Sequence, residues 1–259
     1  MPGEILLSHD GPIATVSLSN PHKLNALDLA MWKRLGEVMR DLDRDKSLRC
    51  IVVRGAGTEA FAAGADISEF EKTRNNSKVA RKYGEQLETT MQAIAGCRHP
   101  IVAMIHGACV GGGMEIISQC DLRICGTSSR FGIPIAKLGL VVGYLEMKGL
   151  IDLVGRAAAM EILLEGRILN AAEAKDMGLV NRVVADDKVE EEAMSAARRI
   201  AAGAPLVARW HKKFARRLAQ PRPVGKTERN EAYACYDTED FREGAEAFLA
   251  KRKPQFKGK

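Results

Sequence analysis

A run of three glycines, Gly111–Gly113, separates an apolar segment from a segment with helical character. The apolar run Ile101–Ile105 is typical of a buried strand, and residues 114–118 have the character of a helix start. A glycine loop between a strand and a helix leaves backbone N–H groups directed at open space, with the positive end of the helix dipole behind them. Such a loop can hold an oxygen that gains negative charge. Glu115, in the first helical turn, adds a carboxylate suited to acid–base chemistry beside a carbonyl.

A second glycine segment follows another strand-like run, earlier in the chain. Cys50–Gly55 contains the β-branched residues that strands favour. In the segment 60–67, the small residues around Gly64 allow a ligand to approach the backbone closely. The sequence therefore predicts two glycine-containing loops that can present backbone groups to a ligand.

Strand-like and helix-like segments alternate through the first two thirds of the chain, which predicts an α/β fold. Residues 13–18 are expected to form a strand. Asp28 is expected to cap a helix whose apolar residues recur at helical spacing. From Glu190 onward almost every segment is helix-like. We therefore expect an α/β core with the ligand site over 1–189 and a helical C-terminal region over 190–259.

The composition limits the classes of protein to which the chain can belong. Of its 259 residues 46% are hydrophobic, which suits a globular core, and the absence of an apolar run of about 18 residues argues against a membrane span. The N-terminus lacks a signal-peptide pattern, and the six cysteines show no CxxC or Cys/His spacing, so we expect a cytoplasmic protein without a metal site. The net charge of +6 suits an anionic ligand. Nucleic acid is not predicted as a partner, because no recognition motif accompanies the basic cluster at 209–217.

Four segments, in order along the chain, resemble the enoyl-CoA hydratase/isomerase family, the crotonases. They are Asn20–Leu27, Phe61-Ala62-Ala63-Gly64-Ala65-Asp66, Gly111-Gly112-Gly113-Met114-Glu115 and Glu243–Pro254. The resemblance implies a right-handed spiral of ββα units, followed by a C-terminal helical region that completes the acyl-CoA site and packs trimers. It also implies a homotrimer or a dimer of trimers. Coenzyme A would be part of the substrate, with no separate cofactor.

The same resemblance implies chemical roles for residues in the two glycine loops. In the family each loop supplies one backbone N–H to the thioester oxygen of an acyl-CoA. In this sequence those donors would be the N–H groups of Ala65 and Gly112. Glu115 stands where the family has a glutamate that handles water or a substrate proton next to the thioester.

The second glutamate of family hydratases is absent from its usual place. In those enzymes it follows a Phe-Gly-x-Pro segment, and here Phe131–Pro134 is followed by Ile135, which cannot transfer a proton. We expect Ile135 to face the acyl group and hydration of an enoyl-CoA to be slow. Glu146, at the start of the next predicted helix, is the only nearby carboxylate that could replace the missing one. Tyr144 could reach the acyl group through its hydroxyl.

Seven further residues match positions that bind the CoA part of the substrate in the family. Lys23 and the backbone of Ala26 would meet the phosphates and the pantetheine. Residues in the first glycine loop would lie against the adenine and pantetheine, namely Ala63, Asp66 and Ile67. In the tail, Tyr236 would cover the CoA of a neighbouring subunit, and Lys257 would meet the nucleotide.

The sequence does not decide which reaction the site catalyses, because an enolate oxygen held by two N–H groups is compatible with several reactions. Hydration and double-bond isomerisation are the leading alternatives, and isomerisation needs only one group that moves a proton between two carbons. Decarboxylation and hydrolysis of an acyl-CoA are also compatible with the predicted site. A non-catalytic acyl-CoA-binding protein is the remaining alternative, because Ile135 replaces the second glutamate.

Overall fold

The strands divide between two sheets in the computed structural model, which describes residues 3–259. The six-stranded sheet has the order β1-β2-β3-β5-β7-β10, and the four-stranded sheet has the order β4-β6-β8-β9. The strands are β1 Glu4–Asp10, β2 Ile13–Ser19, β3 Cys50–Gly55, β4 Ala60–Ala62, β5 Ile101–Ile105, β6 Ala108–Val110, β7 Leu122–Gly126, β8 Arg130–Gly132, β9 Leu169–Asn170 and β10 Arg182–Val184. All pairs are parallel except β1 with β2 and β8 with β9.

One unit of two strands and a helical segment repeats three times along the core. In each unit the first strand joins the large sheet and the second joins the small one, giving the pairs β3/β4, β5/β6 and β7/β8. Each new unit pairs in parallel with the one before it in both sheets. The chain therefore winds as a spiral of ββα turns, as the resemblance implied.

Helices separate these strands and form most of the C-terminal part. They are α1 Leu29–Arg44, α2 Phe70–Thr73, α3 Ser77–Gly96, α4 Gly112–Ser118, α5 Tyr144–Glu165, α6 Ala171–Asp176, α7 Val189–Ala202, α8 Pro205–Leu218, α9 Lys226–Glu231 and α10 Glu239–Leu249. Helix α5 is interrupted at Gly155. Short 3-10 turns occur at Pro21–Lys23, Ile67–Glu69, Pro134–Leu138, Asp186–Lys188 and Ala232–Asp237.

Helix α1 forms where the sequence predicts it. The side chain of Asp28 accepts a hydrogen bond of 2.7 Å from the N–H of Met31, which satisfies one of the free donors at the helix start. One face of the helix carries Trp32, Leu35 and Met39, all fully buried. This face packs into the main core, and Trp32 also reaches Gly112, the first residue of α4.

The C-terminal region is helical, as predicted, but its first helix belongs to the core packing. Val189, Ala193 and Ala197 of α7 are buried against strand residues of the large sheet that include Val52 and Val102. Small side chains on this face of α7 allow the helix to lie close to the sheet. Helix α7 therefore packs with the core, and the division into a core over 1–189 and a helical region over 190–259 stays a prediction.

Helix α8 is attached to the core by a buried lysine. Lys212 Nζ donates hydrogen bonds of 2.9 Å to the carbonyl oxygen of His99 and 2.7 Å to Asp121 Oδ2. Its side chain is only 6% exposed. Within residues 3–259, no helix is both long and apolar enough to cross a membrane.

Candidate active site

Three loops that follow neighbouring parallel strands enclose one cavity. Strands β4, β6 and β8 lie side by side, so their carboxyl ends meet at the same edge of the small sheet. The loop after β4 contains Ala65, the loop after β6 leads to Gly112 and Glu115, and the loop after β8 contains Ile135. All four residues line a cavity of about 520 Å³. Ligand sites in sheets with parallel strands commonly form at this edge.

The N–H of Ala65 is directed away from its neighbouring segment. Leu27 forms a parallel bridge with Ala65, in which Leu27 N–H donates to Gly64 O at 2.8 Å and Asp66 N–H donates to Leu27 O at 2.8 Å. In a parallel bridge these two bonds engage the residues on either side of Ala65. The N–H of Ala65 itself therefore points away from Leu27.

The N–H of Gly112 belongs to the first turn of α4 and has no acceptor within that helix. A glycine is required here, because a Cβ at 112 would lie 2.8 Å from Cζ2 of Trp32. The loop after β4 approaches Gly112 at Gly64, whose φ of +107° favours glycine. A Cβ at Gly64 would lie 3.9 Å from the Gly112 nitrogen. The fold thus brings the two predicted donor segments together.

Glu115 lies in the first turn of α4 and faces the cavity. Its side chain is partly exposed and belongs to the cavity wall. Burial and, to a smaller extent, the nearby charge of Glu146 together raise the pKa of Glu115 from its usual 4.5 to about 7, against an opposing effect of Arg74. A carboxyl group with a pKa near 7 can both donate and accept a proton at neutral pH.

Glu146 shares this cavity with Glu115. It occupies the first turn of α5, is only 8% exposed, and its carboxylate lies against the backbone of Gly143. Ile135 lines the same cavity and packs against the core, so this part of the wall is apolar where family hydratases have a glutamate. The cavity therefore contains two carboxylates, one from α4 and one from α5.

Tyr144 does not reach the cavity in this chain. It precedes Glu146 by two residues on α5, and positions two apart on a helix face different directions. Its side chain is 96% exposed and is not part of the cavity wall. The predicted contact between its hydroxyl and the acyl group is therefore not formed within one chain.

Two of the seven residues predicted to bind CoA line the cavity, and two others form an ion pair. Ala63 and Ile67 line it, and Ile67 is 63% exposed at the mouth. Lys23 Nζ pairs with Asp66 Oδ2 at 2.6 Å and with Ser68 Oγ at 2.9 Å. Burial opposes ionisation of Asp66, but hydrogen bonds from Lys23 and Ser68 outweigh it and lower the pKa of Asp66.

The backbone of Ala26 is already engaged within the chain. Its N–H donates to Lys23 O at 3.0 Å, and its carbonyl oxygen accepts from Asn20 Nδ2 at 2.9 Å. Because Ala26 is 8% exposed and does not line the cavity, it supports the loop that carries Lys23. A direct contact between Ala26 and CoA stays a prediction.

The two tail residues lie outside the cavity wall of this chain. Tyr236 is 57% exposed and packs edge-to-face against Phe241, with the ring centroids 5.0 Å apart. The N–H of Lys257 donates to Asp240 Oδ1 at 2.7 Å, which fixes the end of the chain on α10. Contacts of these residues with CoA, including CoA in a neighbouring subunit, stay predictions.

The sequence did not predict four cavity residues that come from the helical side. Phe70 and Arg74 come from α2 and the residue after it, Tyr83 comes from α3, and Trp32 comes from α1. No motif marks them. The spacing of Trp32 indicates only a core position, and Arg74 lies between two helices without a pattern. Their convergence depends on how α1, α2 and α3 pack.

Comparison with known proteins decides the family. The family model described as enoyl-CoA hydratase/isomerase matches residues 9–259. The chain belongs to the enoyl-CoA hydratase/isomerase family. A protein of Rhizobium meliloti named "Probable enoyl-CoA hydratase" is 35% identical over 98% of this chain and 97% of its own length. The short-chain-enoyl-CoA hydratase of Clostridium acetobutylicum is 32% identical over 96% of this chain and 95% of its own length.

Solved structures agree with this family membership. A crystal structure from Magnetospirillum magneticum, described as an enoyl-CoA hydratase/carnithine racemase, matches with a TM-score of 0.97 and 47% identity over 98% of this chain and 96% of that one. The enoyl-CoA hydratase of Bacillus anthracis matches with a TM-score of 0.92 and 31% identity over 98% of this chain and 99% of that one. The predicted crotonase fold is confirmed. The protein is an acyl-CoA enzyme of a family of lyases and isomerases.

Proposed function

We propose that this protein adds water across the double bond of 2-enoyl-CoA thioesters, using Glu115 and Glu146 as its pair of carboxylates. The observation that carries the proposal is that both carboxylates line one cavity beside the two glycine loops. The expectation of slow hydration rested on Ile135 and on a missing second carboxylate. Glu146 can supply this second carboxylate from α5, so the absence of a glutamate at position 135 no longer predicts slow hydration.

The thioester oxygen would accept hydrogen bonds from the N–H groups of Ala65 and Gly112. Support comes from the close approach of the two loops and from the direction of both N–H groups, neither of which is used by the bridge or by the helix. As the thioester becomes an enolate, its oxygen gains negative charge and these bonds strengthen. One such donor typically contributes about 10²–10³ to the rate.

The two carboxylates would divide the proton transfers of hydration. Glu146, as carboxylate, takes a proton from water while the water oxygen bonds to Cβ. The C=C electrons move to the enolate, and Cα then takes the proton of neutral Glu115. The proton gained by Glu146 returns to Glu115 through water in the cavity, which restores the starting state. The raised pKa of Glu115 supports its role as the acid, because the group is substantially protonated at neutral pH.

Isomerisation is the second candidate. The apolar wall at Ile135 favours it, because an apolar wall does not hold a water molecule near the acyl group. Glu115 alone could then move a proton between two carbons. Decarboxylation, acyl-CoA hydrolysis and binding without catalysis use the same oxygen site and give no product with a moved or hydrated double bond.

The test is to incubate the purified protein separately with crotonyl-CoA and with a 3-enoyl-CoA. Loss of the enoyl absorbance of crotonyl-CoA, with 3-hydroxybutyryl-CoA as the product, supports hydration. Formation of a 2-enoyl-CoA from the 3-enoyl-CoA, without turnover of crotonyl-CoA, would replace hydration with isomerisation. Glu165→Gln is a matched control, because Glu165 lies on α5 with 57% of its side chain exposed.

Assembly and location are also part of the proposal. We infer a homotrimer or a dimer of trimers, supported by exposed apolar residues of the helical tail such as Tyr233, Phe248 and Leu249. A cytoplasmic location and the absence of a separate cofactor are proposed from the sequence.

A further inference from the structure

Arg74 is held between two aromatic rings in the wall of the cavity. Its guanidinium carbon lies 4.3 Å from the ring centroid of Phe70 and 4.1 Å from that of Tyr83. Cation–π contact with two rings restricts the position of the guanidinium, whose N–H groups all lie in its own plane. Such an arrangement is suited to bidentate binding of a planar carboxylate.

This arginine has no carboxylate partner within the described chain. By contrast, Arg167 and Arg217 each form an ion pair with a glutamate. Glu115 is close enough for the charge of Arg74 to stabilise its ionised form, but the two do not form an ion pair among residues 3–259. Arg74 therefore contributes a positive charge to a cavity whose walls are otherwise mostly apolar.

Two further polar groups lie unpaired in the same wall. The Tyr83 hydroxyl and the Trp32 indole nitrogen are buried without a hydrogen-bond partner in the part of the chain that the structure describes, and so is Nε of Arg74. Tyr83 is 7% exposed and Trp32 is fully buried. Arg74 and Trp32 are both near enough to the Tyr83 hydroxyl to interact with it as donors, but no contact among them has the geometry of a formed hydrogen bond, so the three groups form one cluster. Buried polar groups without partners are costly, and three such groups side by side indicate an oxygen-bearing guest.

We propose that Arg74, with Tyr83 and Trp32, binds a carboxylate at the far end of the acyl group, so that the preferred substrates are monothioesters of dicarboxylic acids. The inference rests on the proposed function in one respect, namely that this cavity receives the acyl part of an acyl-CoA. The indole nitrogen and the guanidinium can only donate hydrogen bonds, so they select an acceptor. A terminal methyl group would leave all three groups unpaired.

The experiment measures binding by calorimetry, so it does not depend on turnover. Glutaryl-CoA and valeryl-CoA have five-carbon acyl groups and differ in a terminal carboxylate or methyl group. We expect the unmodified protein to bind glutaryl-CoA about 10- to 100-fold more tightly than valeryl-CoA, as charge-assisted hydrogen bonds typically allow. Arg74→Met should abolish this preference, and Arg74→Lys should retain only part of it, because lysine keeps the charge without the planar fork.

Control variants distinguish loss of binding at the acyl end from general effects of charge and from loss of folding. Arg81→Met removes a positive charge from the exposed side of α3 and should leave the preference intact. Tyr83→Phe removes one hydroxyl and should weaken glutaryl-CoA binding while leaving valeryl-CoA binding unchanged. Unfolding curves of each variant confirm that it is folded at the temperature of the titration.

Two results would overturn the inference. One is equal affinity of the unmodified protein for glutaryl-CoA and valeryl-CoA. The other is a similar loss of affinity for glutaryl-CoA, valeryl-CoA and free CoA in Arg74→Met, which would assign Arg74 to the CoA part. Failure of the proposed reaction would instead appear as absent turnover, with the binding preference unaffected.

Discussion

The buried carboxyl group of Glu115 makes the stability of the protein depend on pH in a direction that can be calculated. Its pKa is about 7 in the folded protein and close to 4.5 when the chain is unfolded. Between these values the folded state holds a proton that the unfolded state has lost, so stability falls as pH rises. The contribution of Glu115 is fully present below about pH 4.5 and is lost as pH rises through 7.

The size of the effect follows from the difference in pKa. Each pKa unit corresponds to about 1.4 kcal/mol, so a difference of about 2.5 gives at most about 3–4 kcal/mol. Solvent in the cavity weakens the penalty for the charged form, and we expect about 1–3 kcal/mol between pH 5 and pH 8. Glu115→Gln has no ionisable group at this position and should lose none of this stability.

The assay is urea denaturation of the unmodified protein and of Glu115→Gln at several pH values from 5 to 8. The comparison isolates this position, because the two proteins differ only at residue 115. The stability of Glu115→Gln relative to the unmodified protein should therefore rise with pH. The stability of Glu165→Gln, which changes an exposed side chain, should depend on pH in the same way as that of the unmodified protein. A constant difference between Glu115→Gln and the unmodified protein from pH 5 to 8 would refute the reasoning.

Three other substitutions test separate parts of the account. Ala65→Pro removes one N–H donor and should lower turnover about 10²–10³-fold in a folded protein, whereas unchanged turnover would exclude this donor. Ile135→Glu adds a third carboxylate to the cavity, so it should raise the pKa of Glu115 further and move the alkaline limb of hydration to higher pH; a gain in the maximum rate of crotonyl-CoA hydration would instead show that the site lacked a second carboxylate. Lys212→Met removes the side-chain donor to the His99 carbonyl and one of the two donors to Asp121 Oδ2, so urea denaturation should show a loss of about 1–3 kcal/mol. The neighbouring Lys213→Met, which removes an exposed ion pair, should cost less than about 1 kcal/mol.

Local signals in the sequence predicted the parts of the site that a few consecutive residues build. The run Gly111–Gly113 before Glu115 marked a strand-to-helix junction, and Asp28 marked the start of α1, because caps and glycine turns depend on nearby backbone geometry. The α/β class followed from the alternation of segments. In each case the physical cause lies within about ten residues of the signal.

Features that depend on distant contacts were harder to predict. The place of Glu146 beside Glu115 results from packing of α5 against α4, which no spacing encodes. Strands of the small sheet span only two or three residues, too short to show a period. Helix α7 has a helical pattern like that of α8, and only its small buried residues, such as Ala193 and Ala197, distinguish a helix packed on the sheet. Arg74 carries no local signal at all.

The most direct test of the carboxylate pair is the pH dependence of kcat/KM for crotonyl-CoA hydration in the unmodified protein and in Glu146→Gln. For the unmodified protein we predict a rate that falls as pH rises above about 7, because Glu115 loses its proton. In Glu146→Gln the maximum rate should drop about 10²–10⁴-fold. The alkaline limb should also move to lower pH, because the charge of Glu146 no longer raises the pKa of Glu115. An unchanged rate and an unchanged alkaline limb in Glu146→Gln would contradict the proposal that the two glutamates act together.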